Sequence, residues 1–179
     1  MATKILVAYA TVYGSTREVA EAVADTLREG ALEVDLQPAG RVGGLADYAA
    51  VVLGAPLYIG HWHKEARAFL AKHREALAER PVALFALGPT GVGGEADEWQ
   101  GAREALNADL AQHPWLRPLV VEVFGGKYDP ARLSLLHRLL GLLPASPLHN
   151  APANDLRDRE AIRSYACNLA PTLRAAAKG

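Results

Sequence analysis

The chain has 179 residues, a formal net charge of −1 at pH 7, 50% hydrophobic residues and one cysteine. That length suits a single domain with a full core, and dispersed Lys and Arg at near-neutral charge exclude an electrostatic nucleic-acid binder. The lone Cys167 excludes an internal disulfide and a cysteine-cluster metal site.

Ile5 to Tyr9 is a continuous apolar run, as expected of a strand covered on both faces. No leader precedes it and no apolar run reaches transmembrane length, so a reducing, cytoplasmic setting is expected. The turn Thr11-Val12-Tyr13-Gly14-Ser15-Thr16 then leads into a helix from Ser15 to Arg28, with Val19, Ala20, Val23, Ala24 and Leu27 on one face. Glu33 to Leu36 reads as a second strand and Tyr48 to Gly54 as a third. Trp62 to Leu77 reads as one helix burying Ala66, Phe69, Leu70, His73 and Leu77. Val82 to Leu87 is a fourth strand, Ala96 to Leu110 a helix and Leu119 to Phe124 a fifth strand. The last helix runs from Asp158 to about Leu173 over Ile162, Tyr165, Ala166 and Leu169, and Pro171 is expected to end or kink it.

This alternation predicts an α/β fold of three layers: a doubly wound, five-stranded parallel sheet of order 2-1-3-4-5, covered by helices on both faces. In that order a ligand sits beyond the strand C-termini, between the first and third strands.

The first loop has the chemistry for such a ligand. A helix start presents unpaired N–H groups and partial positive charge, which favour a phosphate. The hydroxyls of Thr11, Tyr13, Ser15 and Thr16 add neutral hydrogen bonds, and Gly14 admits close backbone approach. Neither a P-loop nor G-x-G-x-x-G is present, so a phosphate monoester fits better than a nucleoside triphosphate or a dinucleotide. The plainer alternative is an N-cap box with spare hydroxyls. Two further loops stand where the topology asks for them. After strand three comes Gly54-Ala55-Pro56-Leu57-Tyr58-Ile59-Gly60-His61-Trp62-His63, with aromatic faces for a flat ring. After strand four comes Gly88-Pro89-Thr90-Gly91-Val92-Gly93-Gly94, which can lie close against a ligand edge.

Thr11-Val12-Tyr13-Gly14-Ser15-Thr16 resembles the flavodoxin phosphate loop. The resemblance implies FMN as cofactor, with Thr11, Val12, Tyr13, Gly14, Ser15 and Thr16 at its phosphate. Pro56, Leu57, Tyr58, Ile59, Gly60 and Trp62 would flank the isoalloxazine on one side, and Gly88, Pro89, Thr90, Gly91, Val92 and Gly93 on the other. Gly60 matches the glycine whose carbonyl accepts a hydrogen bond from the reduced flavin N5. No metal is expected, because His61 and His63 lack a third ligand. They either cap the next helix or line the flavin pocket and share protons there. Gly60, His61 and His63 are accordingly the candidate catalytic residues. Asp97 and Glu98 read as the charged first turn of a helix.

Ile59-Gly60-His61-Trp62-His63-Lys64 and Phe124-Gly125-Gly126-Lys127-Tyr128 resemble stretches of the menaquinone-dependent protoporphyrinogen dehydrogenases, which are flavodoxin-fold enzymes. That subgroup implies a quinone acceptor and an apolar substrate. Its insertion corresponds to an insertion here at about 126–154, within a single domain over 1–179. Arg132 to Leu143 reads as a helix with a Leu136, Leu139, Leu140 and Leu143 stripe, too short to span a bilayer. Peripheral contact with the inner face of a membrane, a hydrophobic substrate, packing on the fold and a homodimer contact stay open for it. The rival function is a soluble electron carrier that docks on a redox partner protein; near-neutral charge departs from the acidic pattern of such carriers.

Overall fold

The computed structural model describes residues 3–58, 60–90, 95–132 and 153–178. Strand β1 (Lys4–Tyr9) is followed by α1 (Ser15–Glu29), β2 (Val34–Pro38) and β3 (Tyr48–Tyr58). Then come β4 (His61–Trp62), α2 (Lys64–Lys72), α3 (Arg74–Ala78), β5 (Val82–Leu87) and α4 (Glu95–Ala111). Strands β6 (Val120–Phe124), β7 (Lys127–Tyr128) and β8 (Asn154–Asp155) precede the last helix, α5 (Arg159–Lys178).

The main sheet runs β2-β1-β3-β5-β6, all parallel, which is the expected doubly wound order. Each central strand alternates its apolar side chains between two cores. Ile5, Val7 and Tyr9 join Val52 and Phe85 beneath α1 and α5. Leu6 and Ala8 join Val51, Leu53 and Leu84 beneath α2, α3 and α4. Burial on both faces explains why the strands read as unbroken apolar runs, with each large aliphatic side chain contributing about 2 kcal/mol of transfer free energy. From α5, the Tyr165 hydroxyl donates to Leu84 O at 3.1 Å in mid-sheet, and burial pushes its pKa far above the usual tyrosine value.

Three local expectations are corrected. Trp62 does not open a helix: β3 runs on to Tyr58, and β4 folds back on it with Leu57 opposite Trp62 and Tyr58 opposite His61. The periodic segment behind it is two helices, broken at His73 (φ −106°, ψ 22°). Pro171 does not end α5, which continues to Lys178. Both Pro171 and Cys167, whose carbonyl loses its helical partner there, are exposed, so water can satisfy the lost bond.

Strands β7 and β8 form a two-residue antiparallel ribbon that closes the root of the insertion. The expected helix at 132–143 lies outside the described residues beyond Arg132, which ends a short 3-10 turn, Pro130–Arg132. The Asp158 carboxylate accepts from Glu160 N (2.9 Å) and Ala161 N (3.1 Å), capping the start of α5.

Candidate functional site

The loops after β1, β3 and β5 meet at the C-terminal edge of the sheet around one cleft. The first is held by its own residues. Gly14 takes φ 91°, a left-handed conformation that favours glycine, and its N–H donates to Thr11 Oγ1 at 2.9 Å. Among the described residues no side chain caps α1, so the N–H groups of its first turn have no side-chain acceptor there. Ser15 and Thr16 begin the helix and line the cleft with Val12 and Tyr13. Thr16 is 1% exposed, and its Oγ1 has no hydrogen-bond partner among the described residues. A buried hydroxyl without a partner costs about 1–3 kcal/mol, a cost that a bound anion would remove.

From the second loop, Pro56, Leu57 and Tyr58 line the cleft. Tyr58 shares a side-chain hydrogen bond with Tyr13, and burial raises its phenol pKa. The first and second loops are therefore joined across the cleft. Gly60, at φ 74°, turns the β3–β4 hairpin and lines a shallow depression with Leu57, Gly88, Pro89 and Thr90. Ile59 lies outside the described residues.

The two histidines and the tryptophan do not line the cleft. The Trp62 indole is 1% exposed and donates to Ala55 O at 3.0 Å, so the ring anchors the hairpin in the core. The His61 side chain is 62% exposed, with Nδ1 3.2 Å from the carboxylate of Asp109. His63 caps α2, its Nδ1 accepting from Glu65 N at 3.4 Å, and burial lowers its pKa. Among the described residues no three His, Cys, Asp or Glu side chains gather as a metal site would require.

From the third loop, Gly88 and Thr90 line the cleft and Pro89 lies in the adjoining depression. Thr90 is held from both sides: its N–H donates to Glu98 Oε2 (3.0 Å), and its carbonyl accepts from Asn154 Nδ2 (3.0 Å). Glu98 is thus a loop anchor as well as a charged residue near a helix start. Gly91, Val92 and Gly93 lie outside the described residues.

One wall had not been expected. Gly126, Lys127, Tyr128 and Asp129 line the cleft from the β7 ribbon. Gly126 N donates to Pro89 O at 2.6 Å, and a Cβ on Gly126 would stand 3.0 Å from Gly88 O, so the two glycine loops touch. The Phe124–Tyr128 stretch carried the signal, read as a junction and not as a wall. Arg157 joins the ribbon to the first turn of α1 through Glu18 Oε2 (2.6 Å), Ser15 O (3.4 Å) and both oxygens of Asp155.

A flavodoxin-domain profile matches residues 6–140. The chain belongs to the flavodoxin domain family. Its cofactor is accordingly FMN, and the site's chemistry fits that group: an uncapped helix start, a buried hydroxyl without a partner and an aromatic-rimmed apolar cleft. Members of this flavodoxin-like group pass electrons to redox partners.

Among characterised relatives, the protoporphyrinogen IX dehydrogenase [quinone] of Escherichia coli K12 is 31% identical over 86 residues, 47% of this chain and 48% of that protein. The chain therefore spans about half the length of the curated relatives it matches. Oxidised flavodoxin 2 from Bacillus cereus superposes with a TM-score of 0.59 at 22% identity, covering 94% of this chain and 99% of that one. The rubredoxin oxygen:oxidoreductase of Desulfovibrio gigas gives a TM-score of 0.58 at 15% identity, covering 97% of this chain but 37% of that one. At these identities the structural likeness establishes the fold.

Proposed function

We propose that the chain is an FMN-dependent oxidoreductase of the protoporphyrinogen-dehydrogenase type, oxidising an apolar substrate and passing the electrons to a quinone. The observation that carries it is the 31% identity over 86 residues to a quinone-linked protoporphyrinogen IX dehydrogenase. The cleft supports it: Leu57, Leu87, Tyr13 and Tyr58 offer an apolar, aromatic lining suited to flat ligands. FMN, when bound, supplies the redox chemistry, and the protein supplies position and electrostatics. Thr16, Ser15 and the α1 N–H groups would hold its phosphate. The β3–β4 hairpin and the loop at Gly88–Thr90 would flank its ring, and Gly60 would turn its carbonyl towards the ring N5. A quinone acceptor is met at a bilayer surface, a use for the Leu-rich segment 132–143. No helix among the described residues is long and apolar enough to cross a membrane.

The second reading is a carrier without a substrate of its own, favoured by superposition on nearly the whole of a simple flavodoxin. Anaerobic oxidation of protoporphyrinogen IX with a menaquinone analogue separates the two. Turnover by FMN-loaded protein supports the enzyme; loaded protein that is inert here yet rapidly reduced by a flavodoxin reductase supports the carrier.

A further inference from the structure

Asp109 lies near the C-terminal end of α4 and is 2% exposed. That is a costly place for a carboxylate, because burial removes its hydration and the helix end carries partial negative charge. Both its oxygens are engaged by one short strand, 47 and 48 residues away in sequence. Oδ2 accepts from Trp62 N at 2.6 Å, and Oδ1 faces His61 Nδ1 at 3.2 Å.

That strand, β4, is the returning arm of the hairpin whose outgoing arm carries Leu57 and Tyr58 into the cleft and whose tip is Gly60. The hairpin is tied to β3 by His63 N to Pro56 O (3.0 Å) and by the Trp62 indole to Ala55 O. These ties are internal to the hairpin and the strand it grows from. Asp109 adds a tie from outside, onto a long helix packed against the sheet. Without it the hairpin could still pair with itself, but its height over the cleft would be less strictly set.

We infer that Asp109 is a positioning residue for the cofactor ring: it latches β4 to α4 and so sets where Leu57, Tyr58 and the Gly60 peptide stand relative to the flavin. The inference rests on the reading of the cleft as the FMN site.

The test compares Asp109→Ala and Asp109→Asn with Leu106→Ala, a fully buried position on the same helix that makes no hydrogen bond to the hairpin. Asp109→Ala should weaken FMN binding about tenfold and shift the midpoint potential. Asp109→Asn, which keeps an oxygen for Trp62 N, should recover most of the affinity. Leu106→Ala should lower the melting temperature but leave affinity and potential as in the wild type. In the apoprotein, Asp109→Ala should also remove hydrogen-exchange protection from the Trp62 amide. If Asp109→Ala lowers the melting temperature and leaves the FMN affinity, the potential and the Trp62 amide unchanged, the latch is refuted. If wild-type protein binds no FMN, the reading of the cleft fails. The amide measurement still decides whether Asp109 holds the hairpin.

Discussion

Gly54 of β3 lies flat against the ring of Phe85 on β5, its partner in register: a Cβ at Gly54 would stand 1.9 Å from Phe85 Cζ. Phe85 is fully buried, with Phe124 and Tyr165 packed around it at centroid distances of 5.9 and 6.2 Å. Neither strand can retreat, because both are central in the sheet. Gly54→Ala should therefore cost about 3 kcal/mol, measured by urea denaturation, and adding Phe85→Leu should restore part of it. A Gly54→Ala protein as stable as wild type would contradict this packing.

Thr16→Val keeps the volume at the start of α1 and removes the hydroxyl that has no partner. The apoprotein should be as stable as wild type or more stable by about 1 kcal/mol. FMN affinity should fall about tenfold, whereas riboflavin, which has no phosphate, should bind both proteins alike. Parallel titrations of the two flavins check this; equal losses for both would place the hydroxyl away from the phosphate.

Gly60 has open space around its missing side chain but a positive φ of 74°. Gly60→Val should cost about 1–2 kcal/mol through backbone strain alone. Because it also restricts peptide reorientation, it should shift the two one-electron potentials of bound FMN, read by anaerobic spectroelectrochemistry. Unchanged potentials would remove Gly60 from the redox function.

His73 is 7% exposed, its Nε2 has no hydrogen-bond partner among the described residues, and burial holds its pKa below the ordinary 6.5, helped by Lys72 and Arg80 against a hydrogen bond to the Val42 backbone. The folded state thus binds a proton less readily than the unfolded chain. The stability linked to His73 is complete above pH 6.5 and is lost as pH falls below it, with a slope of at most about 1.4 kcal/mol per pH unit. His73→Leu should flatten the stability profile below about pH 6.5, leaving the share of His63, whose pKa is shifted the same way. Denaturation midpoints across that range are the measurement.

Arg157 lowers the pKa of Asp155, mainly by hydrogen bonding to its carboxylate, and its own pKa is raised. The Arg157 side chain is 10% exposed while Asp155 and Glu18 are each 42% exposed, so solvent screens the pairs. Arg157→Met should cost roughly 1 kcal/mol at neutral pH. Asp155 gains its stabilisation above pH 3.8 and loses it as pH falls through its depressed folded value, so the difference between variant and wild type should shrink in acid. A constant difference down to about pH 2 would show that Arg157 acts through packing alone.

What the sequence by itself determined was whatever neighbouring residues decide together. The apolar runs of β1, β3 and β5 called for strands buried on both faces, and their alternation with helices suited the doubly wound order that the sheet has. The hydroxyl-rich turn around Gly14 marked the start of α1, because loop and helix are adjacent in the chain; that no described side chain caps it is a finding of the structure. What only the tertiary structure decided depends on residues far apart. Trp62 has the look of a ring-stacking residue, yet its indole is in the core, because Leu57 pairs with it and Ala55 accepts its N–H. His73 sits on a helical period but falls at a break. Asp109 carries no local signal that sets it apart within α4, and Lys127 and Tyr128 lie where the sequence places the entry to an insertion. Their roles come from contacts across 47 residues of chain, or from a ribbon closed by residues on the far side of the insertion. Local periodicity reports which face of an element is apolar; it carries no information about which distant backbone donor a buried carboxylate will meet.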